Sequence, residues 1–440
     1  MLKSLKQHSL FLTLSFILGI LALCVKIFQH ITYNTGAYDL GIRANILYNI
    51  SNHCKIYDGI FAHHGFFAHF HPISILLAPL TFIFGSVYLL LIIKALVVFF
   101  SVYLVYLISL KLKIGKEKTI LIVFLFITNQ FFLSQFSFDF HPETIGIPLI
   151  FLGLYLLMND NKFFFLPFLL LALLKEDTVV VWLGMGLYLS YEKKTIMPLV
   201  VWIVGSIVFV AVVFSLIFPY TGGGLKTMWN IHYANSLNTF SLDVMFKRLW
   251  SVVRIILSTG GVILFAPIEL IPAIVPLFEH LSSSYFHRYL LDYQYSDLII
   301  PFIVFSMING IRYVKRDYLR VMVVVAFFFN LLYLPDFFPL RQSFKRIETI
   351  DSLICVIPGD VSVSACNSIL PHLCERDSIS LIPFNKASYI IIDLEKGNVY
   401  PLEWDKRYTY IDTLLGSGYI TLFKKDGIYL LKRVSYPSLE

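Results

Sequence analysis

The chain has 440 residues, of which 58% are hydrophobic and only 14% charged, with a formal net charge of +7 and a mean hydropathy of +0.75. Soluble domains carry about 25% charged residues, so this composition excludes a water-soluble enzyme and describes a polytopic membrane protein with a smaller polar part. The surplus of Lys and Arg sits in short patches between apolar runs, where the positive-inside bias places it; no nucleic-acid partner is expected.

A spanning helix needs about 20 apolar residues. Residues 9–29 supply the first, leaving the cytoplasm behind Lys3 and Lys6, and the run is too long for a cleaved signal core. Lys26, near its far end, is expected to snorkel to the interface. An outer loop over 31–72 follows, rich in Asn, Tyr, His and Gly and carrying Asp39, Arg43, Asp58, His69 and His71. Residues 73–85, with Pro79 inside, are expected to lie at or dip into the outer interface. Residues 87–110 then return to a cytoplasmic mark of Lys111, Lys113, Lys116 and Lys118.

Residues 119–135 lead out to a short outer loop, 136–143, and 144–158 lead back. The runs 163–174 and 178–190 are each short and turn at Lys175-Glu176-Asp177, because one continuous helix would bury all three charges. Residues 195–217 exit to an outer loop over 219–250, whose Gly222-Gly223-Gly224 lacks the surroundings of a phosphate loop. Residues 251–281, with Pro267, Pro272 and Pro276, form a broken hairpin; 298–312 enter and 319–334 leave. The sum is about eleven spans, N-terminus cytoplasmic and C-terminal part extracytoplasmic, in the cell membrane. No internal repeat is visible.

From about 336 the pattern changes. Short β-like runs (361–365, 378–382, 389–393, 419–423 and 428–432) alternate with polar helical stretches such as 405–415, and Asp426-Gly427 marks a hairpin turn. The expected organisation is a helical membrane domain over 1–335 and a small extracytoplasmic α/β domain over 336–440. The five cysteines have no metal-type spacing; Cys366 and Cys374 are either a disulfide or free buried thiols.

Ionisable groups beside membrane segments cost about 2.5–3.5 kcal/mol each at the bilayer centre, so they default to a functional reading. Three clusters stand out, all on the outer side by this topology. Asp39, in Tyr38-Asp39-Leu40-Gly41-Ile42-Arg43, is either a general base or the N-cap of a helix over 40–50. Asp139-Phe140-His141-Pro142-Glu143 offers an acid/base or metal pair in Asp139 and His141, or a capped helix mouth with Pro142 in its first turn. Lys175-Glu176-Asp177 offers a cation to a lipid phosphate, or a turn that neutralises itself. His69-Phe70-His71-Pro72 either orients a phosphate or sugar hydroxyl or belongs to an interfacial aromatic belt.

With Leu77-Ala78-Pro79-Leu80 and the segment from Val361 to Arg376, these strings resemble the DUF2079 family of multipass membrane proteins, over most of the chain. That family is in turn similar to the GT-C glycosyltransferases, which take a sugar from a polyprenyl phosphate on the outer membrane face. The resemblance implies Asp39 and Asp139 as catalytic acids of the first and second outer loops. Arg43, His69, His71, His141, Glu143, Lys175, Glu176 and Asp177 are the expected substrate-binding groups. It implies a lipid-linked sugar donor and membrane lipids as partners, and leaves a divalent cation open as cofactor, since Asp39 has no adjacent second acid. Two other classes compete: a transporter or flippase for a polar or lipid-linked solute, and a non-catalytic membrane scaffold.

Overall fold

A computed structural model describes residues 2–222, 241–334, 342–383 and 387–434. Residues 223–240, which make up much of the expected outer loop 219–250 and include Gly223 and Gly224, lie outside the described residues, as does the expected domain boundary at 335–336. The chain is mostly helical with one small C-terminal sheet.

Two long helices set the frame, Leu2–Ile31 and Ser86–Lys111. They run antiparallel, with Phe11 stacked on Tyr106 at 4.3 Å and Gly19 facing Phe99. A Cβ on Gly19 would meet the Phe99 Cβ at 3.1 Å, so the close approach of the two backbones depends on that glycine.

Among the described residues three helices are long and apolar enough to cross a membrane: Gln7–Ile31, Ser86–Lys111 and Met197–Thr221. A fourth results if Lys116–Ile127 and Gln130–Ser137, bent by 49°, count as one. Other expected spans are shorter helices. Ile300–Gly310, at 1.5 Å per residue, reaches about 16 Å, half of a hydrocarbon core of about 30 Å. Hydropathy runs through breaks that the backbone does not: Pro79 and Gly85, the latter at φ 73°, divide 73–85 into Ile73–Leu77, a 3₁₀ turn Ala78–Leu80, and Thr81–Phe84. The stretch 251–281 is likewise broken, into Leu242–Ser258, two 3₁₀ turns and Ile271–Leu281.

Lys113, Lys116, Lys118 and Arg312 gather at one end of this bundle. Lys118 donates to the Ile311 carbonyl at 2.8 Å, and Arg316 pairs with Glu117 at 3.0 Å. The three acidic strings lie at the opposite end, where the first long helix stops and the second begins.

That end also carries the C-terminal sheet. A first, two-residue antiparallel pair, β1 (Tyr57–Asp58) with β2 (His63–His64), folds the loop between the long helices. The main sheet comprises β3 (Val363–Ala365), β4 (Ile379–Leu381), β5 (Tyr389–Asp393), β6 (Tyr419–Lys425) and β7 (Ile428–Arg433), in the order β4-β3-β5-β7-β6. The first three are parallel, and β7 and β6 are antiparallel. Asp426 (φ 49°) and Gly427 (φ 74°) turn β6 into β7 as the Asp-Gly pair predicts. Arg346 grips both carboxylate oxygens of Asp393 at 2.5 and 2.9 Å, tying the helix Phe344–Val356 to the end of β5.

One hydrophobic cluster joins the sheet to the frame, with Ile390, Ile391 and Leu370 packed together with Ala37, Leu40, Leu47 and Leu90. Tyr33 donates to Asp351 at 2.5 Å, Asn45 to the Cys374 carbonyl at 2.7 Å, and the Ser86 amide to Glu375. All five cysteines are free thiols; Cys366 and Cys374 are buried and unpaired with each other.

Candidate functional site

The segment 135–143 enters from the helix Gln130–Ser137 and leaves through a 3₁₀ turn with Pro142 in its first position. Two lysines from the long helices hold it. Lys26 Nζ donates to the Ser137 carbonyl at 3.1 Å, the Phe138 carbonyl at 2.9 Å and Gln29 Oε1 at 2.6 Å. Lys94 Nζ donates to the carbonyls of Gln135, Phe138 and Asp139 at 2.6, 2.8 and 3.2 Å. Each ammonium thus satisfies its three protons on neutral oxygens. Lys26 is 1% exposed, so it does not snorkel; its tip points inward to the loop.

The loop brings its side chains to the first outer string. Asp39 lies inside a π-helical turn, Ala37–Gly41, ahead of the helix Ile42–His53; it caps nothing, since Gly41 occupies the cap position. Its Oδ1 sits 3.0 Å from His141 Nε2. Asp39 is therefore the partner of His141, in place of the expected Asp139–His141 pair. Asp139 Oδ2 instead accepts from the Gly36 amide at 2.7 Å. A Cβ on Gly36 would meet Asp139 Oδ2 and Asn367 Oδ1 at 3.3 Å each, so glycine permits this three-way approach. Burial pushes the Asp139 carboxyl up to about 6, against the pull of Lys26.

The third string docks on the second through Glu143 and on His69-Phe70. Lys175 Nζ bridges Glu143 Oε1 and Asp177 Oδ2, each at 2.9 Å. Burial alone would lower its pKa, yet Asp177, Glu143 and Glu176 hold it well above the usual lysine value. Asp177, which burial alone would raise, is held well below the carboxylate range by Lys175 and Arg288, and Arg288 also pairs with Glu279. Lys175 is thus engaged by its own turn and by Glu143 together, which departs from its expected role as a cation for phosphate. Glu176 accepts from His69 Nδ1 at 2.7 Å and from the Phe70 amide at 2.8 Å. His71 shares a hydrogen bond with Ser74 at 2.9 Å, and its Nε2 is buried without a partner.

Arg43 follows Asp39 by one helical turn, on the same face. Among the described residues it makes no hydrogen bond or ion pair, although Glu143, Asp39, Asp58 and Glu176 all act on its charge against burial. It is the unengaged cation of the cluster. Asp297, Arg288 and Asn367 belong to the same assembly and were not singled out by sequence reasoning. Asp297 is fully buried, accepts from Thr144 at 2.9 Å with one oxygen and leaves the other unbonded. Burial raises its carboxyl to about 7, opposed by Lys94. Burial and the charge on Lys26 and Lys94 were the available signal, since lysines inside apolar runs are themselves expensive.

Above these groups lies a cavity of about 420 Å³. Asp39, a quarter exposed, and Asp139 line one side; Tyr38 and Tyr293 add rings, with Tyr293 stacked on Phe138 at 4.3 Å. His141, 8% exposed, sits behind Asp39 rather than on the cavity wall. Chemically this is a fixed carboxylate in a sheltered polar hollow, with its partner imidazole screened from solvent. No group of three or more His, Cys, Asp or Glu side chains able to hold a metal ion occurs among the described residues.

A family model described as "Predicted membrane protein (DUF2079)" matches residues 29–430. No curated protein and no solved structure matches the chain. The chain belongs to the DUF2079 family of predicted membrane proteins.

Proposed function

We propose that this member of the DUF2079 family is a GT-C-like glycosyltransferase that moves a sugar from a polyprenyl phosphate to an acceptor on the outer membrane face. The observation that carries the reading is the placement of Asp39: one oxygen is fixed by His141, and the carboxylate opens into the 420 Å³ cavity. A general base must reach the proton it removes, and Asp39 meets this condition while His141 orients it.

In the reaction, Asp39 takes the proton of the acceptor hydroxyl. The acceptor oxygen bonds to the anomeric carbon as that carbon's bond to the phosphate oxygen breaks. The electron pair leaves with the phosphate, and the charge developing there is countered by the field of Arg43, which lies one helical turn beyond Asp39 and behind the cavity lining. Asp139 and Glu143 shape the site through Gly36 and Lys175. The Lys-rich end of the bundle would face the cytoplasm, placing the cavity and the C-terminal sheet outside the cell membrane. About eleven crossings follow in this reading if the shorter apolar helices cross as packed, broken segments.

The test is a profile of glycans and lipid-linked sugars in cells with wild type, a deletion, and Asp39→Asn at matched protein level. One glycan is lost in both variants, and its polyprenyl phosphate donor accumulates. Normal profiles in both would contradict the transferase.

A further inference from the structure

We propose that the C-terminal sheet supplies the second wall of the cavity and that Asn367 and Asn398 hold the hydroxyl groups of a neutral sugar ring there. The inference rests on the transferase reading for its biological sense, but its evidence is separate. In the parallel part of the sheet, β3 and β5 are neighbours. The chain leaves β3 for β4 on one side and leaves β5 for the β6–β7 pair on the other. Ligands of open parallel sheets bind outside the carboxyl ends of strands at such a divergence. Asn367 and Ser368 follow β3, and Lys396 and Asn398 follow β5; all four line the cavity together with Asp39 and Asp139. The Asn398 amide donates to Ser368 Oγ at 3.2 Å, binding the two strand ends together.

The hydrogen-bonding character of the two walls selects the ligand. Asn367 Oδ1 accepts from the Ala37 amide at 2.7 Å, and Asn398 Oδ1 accepts from the Tyr400 amide at 3.0 Å. Each side-chain oxygen is committed to a backbone N–H, which orients the amide and leaves Nδ2 as donor. Among the described residues neither Nδ2 has an acceptor. The frame contributes acceptors to the same cavity: the carboxylates of Asp39 and Asp139, and Asn34 Oδ1, which is buried without a donor. A phosphate would suit the amides and the Lys396 ammonium but be repelled by the two carboxylates. An ammonium would suit the carboxylates but be repelled by Lys396 and meet the amide donors on the sheet. A hydroxyl both donates and accepts, so a ring bearing several hydroxyls satisfies both walls. The Tyr38 and Tyr293 rings offer apolar faces for its C–H surface, and the volume falls within the usual span of about 300–1,000 Å³ for small-molecule sites.

The experiment uses the full chain in lipid nanodiscs with glucose, mannose, galactose, N-acetylglucosamine and glucose 1-phosphate as probes, followed by saturation-transfer NMR. At least one neutral sugar binds wild type, and more tightly than the phosphate. Asn398→Asp keeps the acceptor for Tyr400 and removes the donor; it weakens binding about tenfold, the effect of one lost hydrogen bond. Asn398→Ala, which removes both the donor and the acceptor, weakens binding at least as much, and melting curves confirm that both variants remain folded. Absence of neutral-sugar binding, preference for the phosphate, or unchanged binding in both variants overturns the proposal. Sugar binding that depends on Asn398, together with normal glycans in Asp39→Asn cells, would overturn the transferase and leave this site standing. Altered glycans without Asn398-dependent binding would do the reverse.

Discussion

Two sets of buried cations meet at the candidate site, and they are solvated in opposite ways. Lys26 and Lys94 bind backbone carbonyls and one amide oxygen, with no carboxylate within 4.0 Å among the described residues. Lys175 and Arg288 bind carboxylates directly, at Glu143, Asp177 and Glu279. The first arrangement fixes the path of a loop; the second joins side chains of separate strings into one ion-pair network. Neither set holds a spare cation; Arg43 is the cation left unengaged, and Asp39, held by His141, is the acid that stays exposed. A buried charge is thus informative only once its partners are known.

The sharpest way to break this contrast is to remove each lysine and then a carboxylate of the segment it binds. Lys94→Met and Lys175→Met should each destabilise the protein by about 3–5 kcal/mol, read as loss of melting temperature in detergent. Adding Glu143→Gln should recover part of the Lys175→Met loss, because it removes a stranded carboxylate. Adding Asp139→Asn to Lys94→Met should recover less, since the lost partners there are carbonyls. Equal recovery in the two cases would erase the distinction.

The pH dependence sharpens it further. Asp139 and Asp297 have folded pKa values raised to about 6 and about 7 from an ordinary 3.8. For a raised pKa the folded state binds more protons, so the associated stability is full below about pH 4 and is lost as pH rises toward 7. The unfolding free energy should fall across that window by on the order of a few kcal/mol, read as a falling melting temperature, and Asp297→Asn should flatten the upper part. A profile unchanged by Asp297→Asn would contradict the burial of that carboxyl.

Smaller effects probe the seam between frame and sheet. Gly36→Ala forces a Cβ against Asp139 and Asn367 and should cost about 1–3 kcal/mol. Tyr33→Phe removes the hydrogen bond to Asp351 and should cost about 1 kcal/mol. If both variants melted like wild type, the sheet would not be locked to the end of the long helices.

Much of this was legible in the residues. Polar strings interrupting apolar runs drew attention to Asp39, His141, Glu143 and Lys175, and the Asp426-Gly427 hairpin follows from local turn chemistry. What escaped was long-range. Nothing near Asp39 tells that its partner is His141 rather than a cap, and nothing near Asp139 points to the Gly36 amide. Lys26 was assigned to the interface because a lysine near a helix end ordinarily reaches water; here the loop closes over it. The span count of about eleven exceeds the three long apolar helices among the described residues because a hydropathy window averages over backbone breaks such as those at Pro79 and Gly85. Asn367 and Asn398 carry no charge, so only the sheet topology draws them to the cavity.

The most direct test of the central claim uses the lipid-linked sugar that accumulates in the deletion strain, offered to purified protein in nanodiscs with an extract supplying the acceptor. Wild type should consume the donor and release polyprenyl phosphate, while Asp39→Asn, folded and at equal concentration, should be slower by about 10²–10⁴-fold. Consumption at the wild-type rate by Asp39→Asn would contradict the account.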